Sequence, residues 1–200
     1  MKVFLLVSIL VGVVGGLVVS SIFIKPYATT RQEVLGNEEW ATPSPTAELV
    51  SVPDEPRHFV IPSLGIQAEV EMVDLDEKGN MDVPQSDWNV GWYEHGVKPG
   101  EQGSAVIAGH LDSPTGPAIF YTLPRIEIGE EIVVTDSKGK EWEFVVERVE
   151  TYRDDSFPID EVFTKSDTKR LNLITCVGTF DRTVKNYSHR LVVFAVLKES

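Results

Sequence analysis

The chain of 200 residues contains a single cysteine, Cys176, and only four histidines. An internal disulfide needs two cysteines and a thiolate-only zinc site needs three or four, so both are excluded. Any chemistry at Cys176 must therefore use a free thiol. A lone cysteine commonly behaves as a small buried apolar residue, so composition alone leaves its role open.

Basic residues are also scarce. The sequence has 18 Lys and Arg against 31 Asp and Glu, which gives a formal net charge of −13 at pH 7. A protein that binds the phosphate backbone of DNA or RNA presents a basic surface. We therefore expect no nucleic acid among the partners of this protein.

Charged residues are absent from residues 3–24, a run of uncharged and mostly branched apolar side chains. As a helix the run would be about 33 Å long, against about 30 Å for the hydrocarbon core of a bilayer. A cleaved secretory signal has a shorter apolar core. Residues 1–25 are therefore predicted to be a single transmembrane signal anchor, with residues 3–24 in contact with membrane lipid. The rest of the chain is expected on the extracytoplasmic side of the cell membrane.

Residues 26–56 have a different composition, because five of the 12 prolines of the chain fall there and apolar residues are few. Proline removes backbone donors, and so few apolar side chains cannot form a core. This segment is predicted to be a flexible spacer. It would connect the anchor to a folded domain over residues 57–200.

Residues 57–200 lack long amphipathic helical patterns and contain short apolar or alternating runs separated by turn residues. About seven strands in this length favour a mainly β fold, as a closed barrel or a sandwich. Two short helices are expected, over residues 118–123 and 158–164. The predicted strands cover residues 58–61, 66–73, 104–108, 131–135, 141–149, 170–175 and 191–197.

Three groups able to do chemistry flank apolar runs of this domain. Cys176 and His110 each end such a run, and Arg190 precedes the last one. We expect all three at strand ends, where a rigid scaffold meets accessible surface. Asp112 is a candidate for orienting the imidazole or capping a turn, and Thr175 for placing the backbone beside the thiol. His95 and His189 remain alternatives to His110 as the base.

The sequences around these three groups resemble the active-site segments of sortases, the cysteine transpeptidases of bacterial cell surfaces. The matching motifs are Leu-Ile-Thr-Cys176, Ala-Gly-His110-Leu-Asp112 and Arg190-Leu-Val-Val. The likeness to class F sortases in particular extends to residues 106–112, residues 116–121, Phe157-Pro158 and residues 179–182. Class D and E sortases share the shorter motifs and are the next alternatives. Together these segments span most of residues 57–200, and the N-terminal anchor and spacer also match the layout of the family.

The resemblance implies a closed eight-stranded β-barrel with short helices. By motif, Cys176 would be the nucleophile, His110 the general acid and base, and Arg190 the residue that stabilises the oxyanion or positions substrate. The implied substrates are LPXTG-type sorting-signal peptides of surface proteins, cleaved between Thr and Gly. The implied acceptors are an amine of a cell-wall precursor or a pilin, or water. No metal or cofactor is expected.

Two other functions remain open on the residues alone. Another extracellular cysteine peptidase would use the same groups, although the Gln-Ala-Cys and Cys-Gly-Ser-Cys signatures of two peptidase families are absent. A non-catalytic, membrane-tethered β-domain for surface adhesion would instead have Cys176 in its core and His110 in a structural role. Reactivity of the thiol distinguishes these possibilities.

Overall fold

The computed structural model describes residues 51–164 and 166–199. Within these ranges there is one α-helix, α1 (Ile159–Phe163), and there are 3-10 helices at Pro62–Leu64, Leu123–Arg125 and Asp154–Ser156. The strands are β1 (Pro56–Ile61), β2 (Ile66–Val73), β3 (Val90–Tyr93), β4 (Gly103–Ala108), β5 (Asp112–Ser113), β6 (Gly116–Pro117), β7 (Glu131–Asp136), β8 (Glu141–Arg153), β9 (Lys169–Asp181) and β10 (Asn186–Leu197).

Eight of the strands form a closed barrel in the order β1-β2-β3-β4-β9-β10-β8-β7, and β5 pairs separately with β6. The β2–β3 and β4–β9 pairs are parallel, and the other barrel pairs are antiparallel. Closure leaves no unpaired barrel edge. The predicted mainly β, eight-stranded barrel is confirmed.

Strands β4, β9 and β10 are apolar on both faces because each face packs against a different core. Leu171, Leu173 and Val193 point into the barrel. Val192 and Phe194 point outward into a second core with Val162 of α1. Such two-sided burial explains why these strands are nearly continuous apolar runs in the sequence. It also places a packed layer outside the barrel wall, beside which the functional groups lie.

The predicted helix over residues 118–123 is wrong. The N–H of Tyr121 donates to Ala118 O and that of Leu123 to Phe120 O, three residues back instead of the four of an α-helix. The following turns bond from residue i+3 to residue i, and the resulting 3-10 helix covers Leu123–Arg125. Tight 3-10 turns therefore replace an α-helix here, and the N–H groups of Ala118, Ile119 and Phe120 bond to neighbouring loops. The second predicted helix is present as α1.

The strand predictions were incomplete in two ways. The short strand β3 was not predicted, because Val90-Gly-Trp-Tyr offers too few residues for an alternating pattern. Strands β8, β9 and β10 extend well beyond their predicted ends into polar sequence. In β9 and β10 this extension is a two-stranded hairpin around residues 177–190, in which the rings of Phe180 and Tyr187 lie 5.1 Å apart.

The chain joins the barrel before β1. Pro53 and Pro56 are buried, and Asp54 forms ion pairs with Lys98 at 3.5 Å and Lys138 at 3.1 Å. Within the described residues, no helix has the length and apolar character needed to cross a membrane. The predicted anchor over residues 3–24 and most of the predicted spacer lie outside the described residues.

Candidate active site: a cysteine, a histidine and an arginine in one groove

A groove of about 1220 Å³ runs along the outer face of the barrel at β4, β9 and β10. Cys176, His110 and Arg190, together with Asp112 and Thr175, all line it. The remainder of its wall is largely apolar and comes from the β2–β3 connection, α1 and β9. The apolar wall includes Leu75, Met81, Val83, Phe157, Phe163 and Ile174.

Cys176 and Arg190 face each other across the β9–β10 ladder, where their Cα atoms are register partners. Directly opposed residues of an antiparallel pair project from the same face of the sheet. Both residues lie inside their strands, so the prediction that they stand at strand ends is wrong. The reason is the β9–β10 hairpin, which continues the ladder past the last apolar residue of each run.

His110 does follow a strand, as predicted, two residues after the end of β4. Its segment continues the parallel β4–β9 pairing, because Gly109 N donates to Ile174 O at 3.1 Å. The buried Thr175 hydroxyl donates to Gly109 O at 2.8 Å. Thr175 therefore ties the residue before the imidazole to the residue before the thiol.

Glycine is required at two positions beside these groups, Gly109 and Gly178. A Cβ at Gly109 would lie 2.5 Å from the ring of Phe120, which is fully buried. Gly178 has φ of +88°, and a Cβ there would lie 2.5 Å from the Ser188 hydroxyl. Both positions allow a close approach that a side chain would prevent.

Burial raises the pKa of the Cys176 thiol above its ordinary value. The charge of Arg190 opposes this shift, while Asp154 and Asp112 add to it. A thiol at rest in this groove is therefore mostly protonated near neutral pH. The guanidinium is the group that favours the thiolate.

Arg190 is held by Asp154, which the sequence analysis did not single out. Arg190 Nη2 lies 2.8 Å from Asp154 Oδ1 and donates to Asn186 Oδ1 at 2.8 Å. Asn186 Nδ2 closes the network by donating to Asp154 Oδ2 at 2.8 Å. Arg190 Nη1 donates to the carbonyls of Tyr187 and His189. Asp154 is 36 residues from Arg190 in the sequence and carries no motif, so only the pairing of β8 with β10 reveals it.

Asp112 contacts a different group from the one suggested by the sequence. Its Oδ2 accepts the Tyr187 hydroxyl at 2.6 Å, and this bond raises the pKa of Tyr187 to about 12. The contact connects the segment after His110 to the β9–β10 hairpin. The imidazole of His110 instead has the carbonyl of Pro84 as its partner.

The two alternative bases do not line the groove. His95 Nε2 lies 2.8 Å from Asp74 Oδ1 on the exposed surface, and the ring of His189 bonds to the Ser188 hydroxyl. Asp74, Glu94 and His95 do bring three ligand-type atoms within 4.8 Å of one another. We assign no metal to this exposed cluster, because its Asp74 and His95 already pair with each other.

Comparison with known proteins gives the family of this barrel and groove. The Sortase domain family profile matches residues 59–198, which is more than half of the chain. The chain belongs to the sortase family. A search of curated proteins found no match to this sortase.

Solved sortase structures share the barrel of this sortase at low sequence identity. Sortase C1 of GBS Pilus Island 1 aligns with a TM-score of 0.55 and 19% identity over 72% of this chain and 64% of the other. Sortase D5 of Clostridium perfringens aligns with a TM-score of 0.55 and 19% identity over 73% of this chain and 80% of the other. The lid mutant of sortase A from Corynebacterium diphtheriae aligns with a TM-score of 0.57 and 18% identity over 76% of this chain and 74% of the other. This sortase thus spans less than two thirds of the length of the first of these relatives.

Asp154→Asn is expected to make the Cys176 thiol of this sortase more acidic. The substitution removes a negative charge that raises the pKa of the thiol and leaves one side-chain oxygen able to accept the hydrogen bond from Arg190. The midpoint of the curve of iodoacetamide alkylation rate against pH should move to lower pH. Alkylation below that midpoint should then be several-fold faster than in the wild type.

Asp155→Asn is the matched control, because Asp155 is the neighbouring exposed carboxylate and pairs with Arg153 at 2.7 Å. It should leave the alkylation midpoint where the wild type has it. An unchanged midpoint in Asp154→Asn, or one displaced to higher pH, would contradict the electrostatic role of Asp154.

Proposed function

We propose that this protein is a cell-surface cysteine transpeptidase that cleaves LPXTG-type sorting signals between Thr and Gly. One observation carries the proposal: Cys176, His110 and Arg190 line a single groove, with Cys176 and Arg190 opposite each other on paired strands. Membership of the sortase family supports it. Nucleophile, proton carrier and a donor for the oxyanion are groups that acyl transfer through a thioester uses.

In the first half-reaction the Cys176 thiolate attacks the carbonyl carbon of the Thr–Gly bond. A C–S bond forms, and the oxyanion of the tetrahedral intermediate lies beside Arg190, whose Nε–H donates to no described residue. His110, as imidazolium, gives its proton to the departing amine as the C–N bond breaks. The C-terminal fragment leaves, and the acyl group stays on sulfur.

The second half-reaction returns the enzyme to its starting state. An amine of a cell-wall precursor or a pilin attacks the thioester carbonyl and gives its proton to His110. The C–S bond breaks, the thiolate is regenerated, and the new amide is released. Water in place of the amine gives the hydrolysed acid by the same steps.

The finer proposal is that the protein is a class F sortase. The segments that support this are residues 106–112, residues 116–121, Phe157-Pro158 and residues 179–182, all of which match the class by motif. In the structure, Phe157 and Arg182 line the groove, as do His110 and Asp112. Three of the four class-matching segments therefore contribute residues to the proposed peptide site, and residues 116–121 do not line it.

A library of sorting-signal peptides, incubated with the full chain in membranes and read by mass spectrometry, tests the activity. We expect cleavage after Thr, and a new amide when an amine acceptor is added. Asp155→Asn serves as a folded control with wild-type products. No cleavage and no adduct with any peptide would contradict the proposal and favour the adhesion function.

Location at the cell membrane is part of the same proposal and depends on the uncharged run over residues 3–24. Protease added to intact cells is expected to digest residues 57–200 and to leave a short membrane-bound fragment. A cytoplasmic marker protein in the same cells provides the control for leakage. Digestion only after the cells are disrupted would show that the proposed orientation is wrong.

Arg190→Lys is expected to lower kcat by about 10²–10³, the usual effect of losing one oxyanion donor. Lysine keeps the positive charge but lacks the planar fork with which Arg190 reaches Asp154, Asn186 and two carbonyls at once. Turnover of a cleaved peptide gives the measurement, and thermal melting identifies any loosening of the hairpin. Full turnover in both Arg190→Lys and Arg190→Ala would remove Arg190 from the mechanism.

A further inference from the structure

The imidazole of His110 has one hydrogen-bond partner among the described residues, and that partner determines which nitrogen carries a proton. His110 Nε2 lies 2.9 Å from the carbonyl oxygen of Pro84. A carbonyl only accepts hydrogen bonds, so Nε2 must carry a hydrogen in both the neutral and the charged ring. Nδ1 is then the nitrogen that gains and loses the proton.

The carbonyl of Pro84 belongs to a loop that is organised by Glu71 of β2. Glu71 Oε2 accepts the N–H of Gln85 at 2.7 Å, and Oε1 accepts the N–H of Ser86 at 3.3 Å. Oε1 also accepts the side-chain amide of Asn89 at 2.8 Å. One carboxylate therefore holds three points of the chain that directly follows Pro84.

Glu71 meets these three donors as a carboxylate. Burial alone would raise its pKa, but the bonds from Gln85, Asn89 and Ser86 and the positive charge of His110 outweigh burial and lower it. Glu71 is thus ionised at neutral pH, with both oxygens available as acceptors. Glu71→Gln would replace one carboxylate oxygen by an NH₂ group, and that group would face one of these N–H donors without an acceptor.

The main chain of His110 is held independently of this loop. His110 O accepts the N–H of Phe120 at 2.9 Å, and Gly109 is bonded to β9 on both its N–H and its carbonyl. These bonds place the Cα of His110 but leave the side-chain torsions free. Among the described residues, only Pro84 O hydrogen-bonds to the ring.

We propose that Glu71 is a positioning residue for His110: by holding residues 85–89 it keeps Pro84 O on Nε2–H and leaves Nδ1 free to exchange the catalytic proton. This inference rests on the proposed function for its kinetic consequence but not for its structural one. The ring contact and its dependence on Glu71 are measurable without any substrate.

The test compares Glu71→Gln with Glu69→Gln in the full chain. Glu69 lies on the same strand and is exposed, and its side chain has no hydrogen-bond partner among the described residues. Glu69→Gln therefore makes the same change of charge without removing a side-chain contact. The chain has four histidines, so labelling histidine alone with ¹⁵N gives four ring systems, and His110→Ala identifies the signal of His110. NMR then reports the protonated nitrogen and the exchange of its proton with water.

In the wild type and in Glu69→Gln, we expect neutral His110 to carry its proton on Nε2 and that proton to exchange slowly. In Glu71→Gln the Nε2 proton should exchange at least about tenfold faster, because the acceptor is no longer held in place. With a cleaved peptide, kcat should fall by about 10- to 100-fold while KM changes little, as for loss of orientation alone.

Asn89→Ala decides the matter if Glu71→Gln fails to fold. It removes one of the three donors to Glu71. We expect faster exchange of the Nε2 proton and a lower kcat, both by less than in Glu71→Gln. A neutral wild-type ring protonated on Nδ1 would overturn the proposal, as would wild-type exchange in folded Glu71→Gln or in Asn89→Ala. A third outcome is faster exchange of the Nε2 proton in Glu71→Gln together with a wild type that cleaves no peptide. That outcome would uphold the contact of His110 with Pro84 and refute the proposed function.

Discussion

Cys176→Ala is expected to abolish formation of the thioacyl intermediate and all turnover. The reason is that the chain has no second thiol to take over the attack. Trapping with a sorting-signal peptide, followed by mass spectrometry of the intact protein, should show an adduct in the wild type and none in the variant. Turnover should fall to the rate of the peptide alone, which is the largest effect expected of any substitution in the molecule.

The fold should tolerate this change, because Cys176 is only half-buried and its side chain points into the groove. Cys176→Ser is the companion variant, since it preserves size and polarity but replaces the sulfur nucleophile. Both variants should melt close to the wild type and still bind the peptide. An acyl adduct that survives in Cys176→Ala would place the nucleophile elsewhere.

His110→Ala is expected to lower kcat by about 10²–10⁴, the usual contribution of a positioned general acid and base. The variant keeps Cys176, so the thiol should still react with iodoacetamide while peptide cleavage is lost. The deficit should be largest for peptides with the poorest leaving amines, because those depend most on protonation. Single-turnover measurement of adduct formation separates this step from transfer to the acceptor.

His95→Ala is the matched control, because His95 lies on the exposed surface and pairs with Asp74 outside the groove. His189→Ala tests the other alternative base, which bonds to Ser188. Both variants should cleave at the wild-type rate. A deficit of 10²-fold or more in His189→Ala, with His110→Ala unaffected, would transfer the role of base to His189.

The sequence was sufficient to predict most of the barrel, because its strands are buried on at least one face and so carry apolar runs. It failed where structure depends on partners distant in the chain. Residues 118–120 give their N–H groups to Leu111, Asp87 and His110, which no local pattern indicates. The hairpin beyond Cys176 is polar and is held by pairing and by the contact of two aromatic rings, so apolar periodicity missed it.

The same distinction applies to the groove. Motifs located Cys176, His110 and Arg190, because the segments around them resemble the active-site segments of sortases. Asp154 and Pro84 contribute an ion pair and a backbone carbonyl, which are ordinary features of any protein surface. Their importance comes only from the groups they touch, and those contacts appear only once the chain is folded.

The pairing of Cys176 with Arg190 makes the rate of bond breaking and the choice of peptide separable properties. Neighbouring strands lie about 4.8 Å apart, so the ladder sets the spacing of the two backbones. Asp154 and Asn186 then hold the guanidinium of Arg190. Much of the apolar wall comes from α1 and from Leu75, Met81 and Val83 in a connecting loop. Loops accept insertions and replacements far more readily than strands do. Exchanging residues 75–83 with those of another barrel, with Pro84 and its contact to His110 kept in place, should therefore change which peptide is cleaved without slowing bond breaking.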